Sequence, residues 1–152
     1  MDYDGLLRSL EQLLLQTYGL WDSGWATFNW RAYTYDHVQR VRQLALTLCE
    51  RENGDSLTTE LAALLHDITK PYDGECIVDQ DGNRIVDSAG YWRNHVRRPV
   101  RSNAVTQLYD RLNLAGQLHS ESGATIAYHL LRDRGADRPT CAGVARTIRH
   151  HL

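Results

Sequence analysis

No apolar run in the chain approaches the roughly 18 residues needed to cross a bilayer, so a membrane span is excluded. The N-terminus, Met-Asp-Tyr-Asp-Gly, lacks the basic start of a signal peptide. Cysteine is scarce: there are 3 in 152 residues (Cys49, Cys76 and Cys141), widely spaced and without a Cys-x-x-Cys pair. That excludes a disulfide framework and suits reduced thiols in a cytoplasmic protein, with Cys49 in the core. Net charge is also small, -2 with histidine neutral. It gives no signal for nucleic acid or membrane, and a pair of bound divalent ions would reverse it locally. We find no internal repeat and no linker of domain-boundary length.

What is present is helical pattern and histidine. Leu6, Leu7, Leu10, Leu13 and Leu14 fall at three-to-four spacing over residues 3–18, and Gly19 is a natural stop. A connector with Trp21, Trp25, Phe28 and Trp30 follows. Trp21, Trp25 and Trp30 can stack a base, although a staple for the N-terminal helix is the favoured account, and the aromatics over residues 21–35 also suit a homo-oligomer interface. A second helix is expected over 35–52, capped by Thr34, with Val38, Val41, Ala45 and Leu48 as its apolar face. A third is expected over 57–69, capped by Ser56 or Thr58 and closed by Pro71. Residues 72–102 break the pattern. Cys76-Ile-Val, Asp81-Gly82-Asn83 and Arg84-Ile-Val predict a short hairpin with an Asp-Gly turn. Helices resume over 103–114, 120–134 and from Thr140. The expected fold is all-α, a bundle of about six helices with a small β-hairpin insertion.

The chemistry centres on the run Leu-Ala-Ala-Leu-Leu-His-Asp-Ile-Thr-Lys, residues 61–70. An apolar helix ending in His66-Asp67 offers an imidazole and a carboxylate, both ligands of divalent transition metals. His37, His119, His150 and His151 stand on or beside other helix ends. Bundles build metal sites in this way, from side chains converging between helices. Bound metal lowers the pKa of water and acts as a Lewis acid on a phosphoryl group. Lys70, about one turn beyond, can reach a phosphate oxygen as a point charge.

The order His37, His66-Asp67 with Lys70, His119 with Gly123-Ala124, then Ile148-Arg149-His150 resembles the HD-domain superfamily of metal-dependent phosphohydrolases. The resemblance covers most of residues 34–152. It divides a single domain over 1–152 into a core (34–71 and 103–152), an insertion (72–102), and an N-terminal helix with its Trp-rich connector (1–33). The extra histidines are similar to the subgroup with two-metal sites, which includes dinucleoside tetraphosphate hydrolases and cyclic-dinucleotide phosphodiesterases. The resemblance implies one or two divalent transition-metal ions (iron, manganese, zinc, nickel or cobalt). His37, His66 and Asp67 match metal ligands, with Asp67 the bridge. His119 and His150 match ligands of a second metal, a role His151 can share, and Lys70 matches a contact to substrate phosphate. The family normally supplies a further Asp from a later helix, whereas this sequence stops at Leu152. Truncation is the favoured reading, with a substitute acid as the other.

The function expected is hydrolysis of a nucleotide or other phosphate ester by metal-activated water, with Asp67 and Lys70 as the catalytic pair. Two rivals remain: a di-iron oxygenase with the same ligands, and a non-catalytic nucleotide-binding module. Arg97, Arg98 and Arg101 beside Arg93 can grip a polyphosphate, since guanidinium forks match phosphate oxygens; a solvated loop is the slightly favoured account of them. His129 lies mid-helix, in keeping with packing, and His95 has no evident partner.

Overall fold

A computed structural model of the chain describes residues 2–21, 30–88 and 90–151. Short polar side chains set where four of its helices begin, by accepting hydrogen bonds from otherwise unpaired N–H groups. Asp2 opens α1 (Tyr3–Tyr18) by accepting from Gly5 N at 2.9 Å. Asp55, rather than Ser56 or Thr58, caps α3 (Ser56–Leu65), where its charge also suits the helix dipole. Asn103 and Thr106 form a reciprocal capping box on α4 (Ala104–Arg111). Asp137 caps α6 (Arg138–Arg149), which takes Pro139 into its first turn. The remaining helices are α2 (Trp30–Arg51) and α5 (His119–Asp133). Because α2 begins before residue 34, Thr34 is buried within it and does not cap it.

The all-α bundle with a small antiparallel insertion is as the pattern predicts. Leu6, Leu10, Leu13 and Leu14 of α1 are buried as one stripe. Helix α3 contacts α1, α2, α5 and α6, and α5 packs along α6. Leu61, Leu64 and Leu65 therefore share one core with Ile126, Leu131, Val144 and Ile148. The expected apolar face of α2 is covered only at its start. Val38 is fully buried, Val41 and Ala45 are half-buried, and Leu48 is 50% exposed. Cys49 is buried beside Thr59. No helix among the described residues is long and apolar enough to cross a membrane.

The insertion is more elaborate than one hairpin. Strand β1 (Asp73–Cys76) pairs antiparallel with β2 (Asn94–Val96). Between them, Val78 bridges Arg84 and Val86 bridges Trp92. Ile77, Ile85 and Arg93 link in a ring: Ile77 N donates to Arg93 O at 2.8 Å, Ile85 N to Ile77 O at 2.9 Å, and Arg93 N to Ile85 O at 2.9 Å. The cause is a short repeat that the sequence reading missed. Ile77-Val-Asp-Gln-Asp-Gly-Asn-Arg84 is followed at once by Ile85-Val-Asp-Ser-Ala-Gly-Tyr-Trp92. Gly82 (φ 83°) and Gly90 (φ 86°) hold equivalent left-handed positions, which residues with a Cβ rarely adopt. Trp21 Nε1 donates to Arg97 O at 3.2 Å, so this tryptophan staples the insertion to the end of α1. Trp25 and Phe28 lie outside the described residues, as does the side chain of Trp30.

Candidate metal centre

Helix α3 stops at Leu65, earlier than expected, and the chain tightens. Ile68 N donates to Leu65 O, Lys70 N to Asp67 O, and Tyr72 N to Thr69 O. These three-residue steps replace the four-residue steps of an α-helix. Neighbouring side chains on a regular α-helix diverge by about 100°, but here His66 Nε2 lies 3.4 Å from Asp67 Oδ2. His37, reaching across from the N-terminal half of α2, brings its Nε2 to 3.6 Å from the same oxygen and 3.3 Å from His66 Nε2. Gly123 lets α5 approach this turn, since a Cβ there would stand 3.3 Å from His66 O. His119, the first residue of α5, then places Nε2 3.5 Å from the other oxygen, Asp67 Oδ1. His151 Nε2 is 3.8 Å from Oδ1. Asp67 thus presents one oxygen to His37 and His66 and the other to His119 and His151, and the donors in each trio lie within 4.8 Å of one another.

The outer ring nitrogens fix which way each imidazole faces. His66 Nδ1 donates to Ala63 O at 2.8 Å, and His151 Nδ1 to Ile148 O at 2.5 Å. His119 Nδ1 is 2.6 Å from Asp73 Oδ2 and 3.4 Å from Lys70 Nζ. A carboxylate only accepts, so Nδ1 carries the proton and donates to Asp73, and Lys70 pairs with Asp73 at 3.6 Å. Each of these three rings therefore turns a bare Nε2 inward. This outer-partner pattern orients metal-ligating histidines generally. The Nε2 atoms of His66 and His37 stand 3.3 Å apart beside a carboxylate oxygen, close enough to share one cation, so the donor set fits divalent metal.

Electrostatics agree. Burial opposes ionisation of Asp67, but the hydrogen bond and charge of His66, with His119 and Lys70, outweigh it and hold the carboxyl at about 2. It is a ready anion near neutral pH. Burial acts to lower His66, yet Asp67 beside it leaves its pKa raised. His151 is lowered, mainly by burial.

The structure does not bring every sequence candidate to this place. His150 is exposed, with Nδ1 on Arg146 O at 2.8 Å; it ends α6 pointing away, and His151 occupies the position instead. Arg98 pairs with Asp110 at 2.7 Å, and Arg101 donates to Gly19 O at 2.9 Å. Arg97 is tied through its backbone to Tyr72 and Trp21. These arginines brace the insertion against α4 and the end of α1, and none lines the two cavities that adjoin the cluster. His95 is exposed on β2, and His129 sits beside Tyr128 on α5.

Two residues escaped the sequence reading. Asp73 holds His119 and Lys70; its only signal was an acid three positions after Lys70, just inside the presumed insertion. Asp73→Asn is expected to weaken metal binding roughly 10–100-fold, the usual loss for an outer partner of a ligating histidine. Titration with a metal indicator checks this, and unchanged affinity would remove Asp73 from the centre. Tyr18, on α1, donates its hydroxyl to Asp67 O at 3.1 Å. Burial, then the Asp67 charge, push its pKa well up, so it stays protonated and able to donate. Tyr18→Phe should cost about 1 kcal/mol of stability in urea unfolding, the typical value of one such bond.

Donors from α2, the end of α3, the start of α5 and the end of α6 define a bundle protein with a histidine–carboxylate cluster compatible with divalent metal. Residues 34–152 match the family model of the HD domain. The chain belongs to the HD domain family, within a superfamily of metal-dependent hydrolases. Comparison with curated proteins and with solved structures gave no match.

Proposed function

We propose that the protein is a metal-dependent phosphohydrolase whose substrate is a nucleotide or other small phosphate ester. The observation that carries this reading is the split of Asp67. Its two oxygens serve two separate trios of donors, and Lys70 stands beside His119. Three protein donors per group is the count that catalytic metal sites use, leaving positions for water and substrate. His37, His66 and Asp67 would hold one divalent ion, and Asp67, His119 and His151 the other. When bound, such ions lower the pKa of water and polarise a phosphoryl oxygen.

The chain's own residues supply the rest. Asp67 offsets charge on both sides while remaining ionised. Asp73 keeps the His119 proton on Nδ1 and anchors Lys70, whose side chain is 37% exposed and can turn toward a phosphate oxygen. Lys70 favours hydrolysis over oxygenation, because a phosphate needs a cation. The test is elemental analysis of the purified full chain, followed by phosphate release from a panel of nucleotides and phosphomonoesters under air and under argon. Two metals per chain with oxygen-independent phosphate release is the expected result. Absence of metal after reconstitution, or turnover that consumes O₂, would overturn the proposal.

A further inference from the structure

The histidine–aspartate cluster adjoins two cavities. One, of about 320 Å³, is walled by Val41, Ala45, Ala62, Ala63 and Ile148 and offers no flat ring besides the ligating imidazoles. The other, of about 380 Å³, lies between the β insertion and the start of α5. It contains Lys70 and His119 on one side and Tyr91, Trp92 and Asn94 on the other. We propose that this second cavity binds the planar base of a nucleotide whose phosphate lies at Lys70 and the His119 side of the centre. The inference rests on the phosphohydrolase reading and adds a substrate class to it.

The repeat in the insertion supports the assignment. Its first copy ends in Asn83-Arg84 and its second in Tyr91-Trp92. The same turn therefore carries two aromatics in the copy that lines the cavity. Neither ring belongs to the hydrophobic core. Tyr91 is 51% exposed and Trp92 57%, so packing does not explain them. Arg84, from the first copy, lies over the Trp92 ring with Cζ 4.3 Å from its centroid. That cation–π contact backs the indole and fixes its orientation at little further entropic cost. The result is a stacking platform continuous with a metal ligand and a lysine.

Stacking on an aromatic face accepts any base, because every base has a π-face. The cavity falls in the range of about 300–1,000 Å³ typical of small-molecule sites. Asn94 lines the same cavity, and its Oδ1 has no hydrogen-bond partner among the described residues. Rotation of its amide offers either a donor or an acceptor to the edge of a base.

The experiment is calorimetric titration of the manganese-loaded full chain with adenosine 5′-monophosphate and with ribose 5-phosphate, which carries a hydroxyl at C1 in place of the base. The nucleotide should bind roughly ten-fold or more tightly, in line with the worth of one stacked base. Trp92→Ala should abolish that ratio and Trp92→Phe retain most of it, which separates loss of the ring from loss of the fold. Equal affinities in the wild type, or a ratio that survives Trp92→Ala, would overturn the subsite. Equal binding that still depends on Lys70 would do so while leaving the phosphohydrolase reading intact. Failure of both compounds to bind the metal-loaded chain would overturn both readings.

Discussion

Asp67→Ala is expected to empty both metal positions and reduce phosphate release to background, a loss of at least roughly 10³-fold. That exceeds the 10–100-fold expected when only an outer partner is removed. Asp67 is the one residue shared by both donor groups, and its two oxygens face different histidines. Alanine removes both oxygens and the negative charge that offsets the cations, leaving neutral imidazoles to face one another. Asp67 is 7% exposed and its carboxyl is held at about 2, so the wild-type side chain is an anion that need not lose a proton before it can meet a cation. Asp67→Asn makes the finer test. It keeps the shape but presents an oxygen to one trio and an N–H₂ to the other, so it should retain one metal of two. Elemental analysis with circular dichroism as a fold control checks both. Two metals retained by Asp67→Ala would show that the histidines alone hold them and that the carboxylate has another task.

Much of this centre was legible because its key pair is contiguous in the chain. His66-Asp67 closes an apolar helical run, and each other histidine marks a helix end or face. Less was legible about direction. The end of α3 depends on the three-residue hydrogen-bond steps from Leu65 to Tyr72, which pattern alone does not distinguish from another turn of α-helix. Those steps bring Asp67 into line with four rings. The cap of α3 was read at Ser56 or Thr58, one or three residues past Asp55, because several short polar residues compete there, and the start of α2 was read at Tyr35, five residues past Trp30. The arginines of the insertion looked like a phosphate grip by charge, yet Arg98 and Arg101 spend theirs on Asp110 and Gly19. The aromatic repeat was visible in the letters, but it gains meaning only when Ile77, Ile85 and Arg93 meet in space.

Adjacent histidines at the end of α6 offer the sharpest discrimination. His151→Ala is expected to lose one metal of two and most of the activity, whereas His150→Ala should change neither by more than experimental error. Both side chains lie at the C-terminal end of one helix, and both use Nδ1 on a carbonyl of that helix. The difference is the face. His151 N donates to Ile148 O, which carries the chain round to the fully buried side of α6, and Nε2 arrives 3.8 Å from Asp67 Oδ1. His150 hangs on the Arg146 side and stays in solvent. The two substitutions are the same in chemistry and lie side by side at one helix end, so a difference between them points to ligation. The metal that remains in His151→Ala should be the one held by His37, His66 and Asp67, and His37→Ala should complement it by losing that one instead. Electron paramagnetic resonance of the manganese-loaded proteins reports this directly: a spin-coupled pair in the wild type and His150→Ala, and a single isolated ion in His151→Ala and His37→Ala. A coupled pair surviving in His151→Ala would mean that Asp67 and His119 hold the second ion without α6.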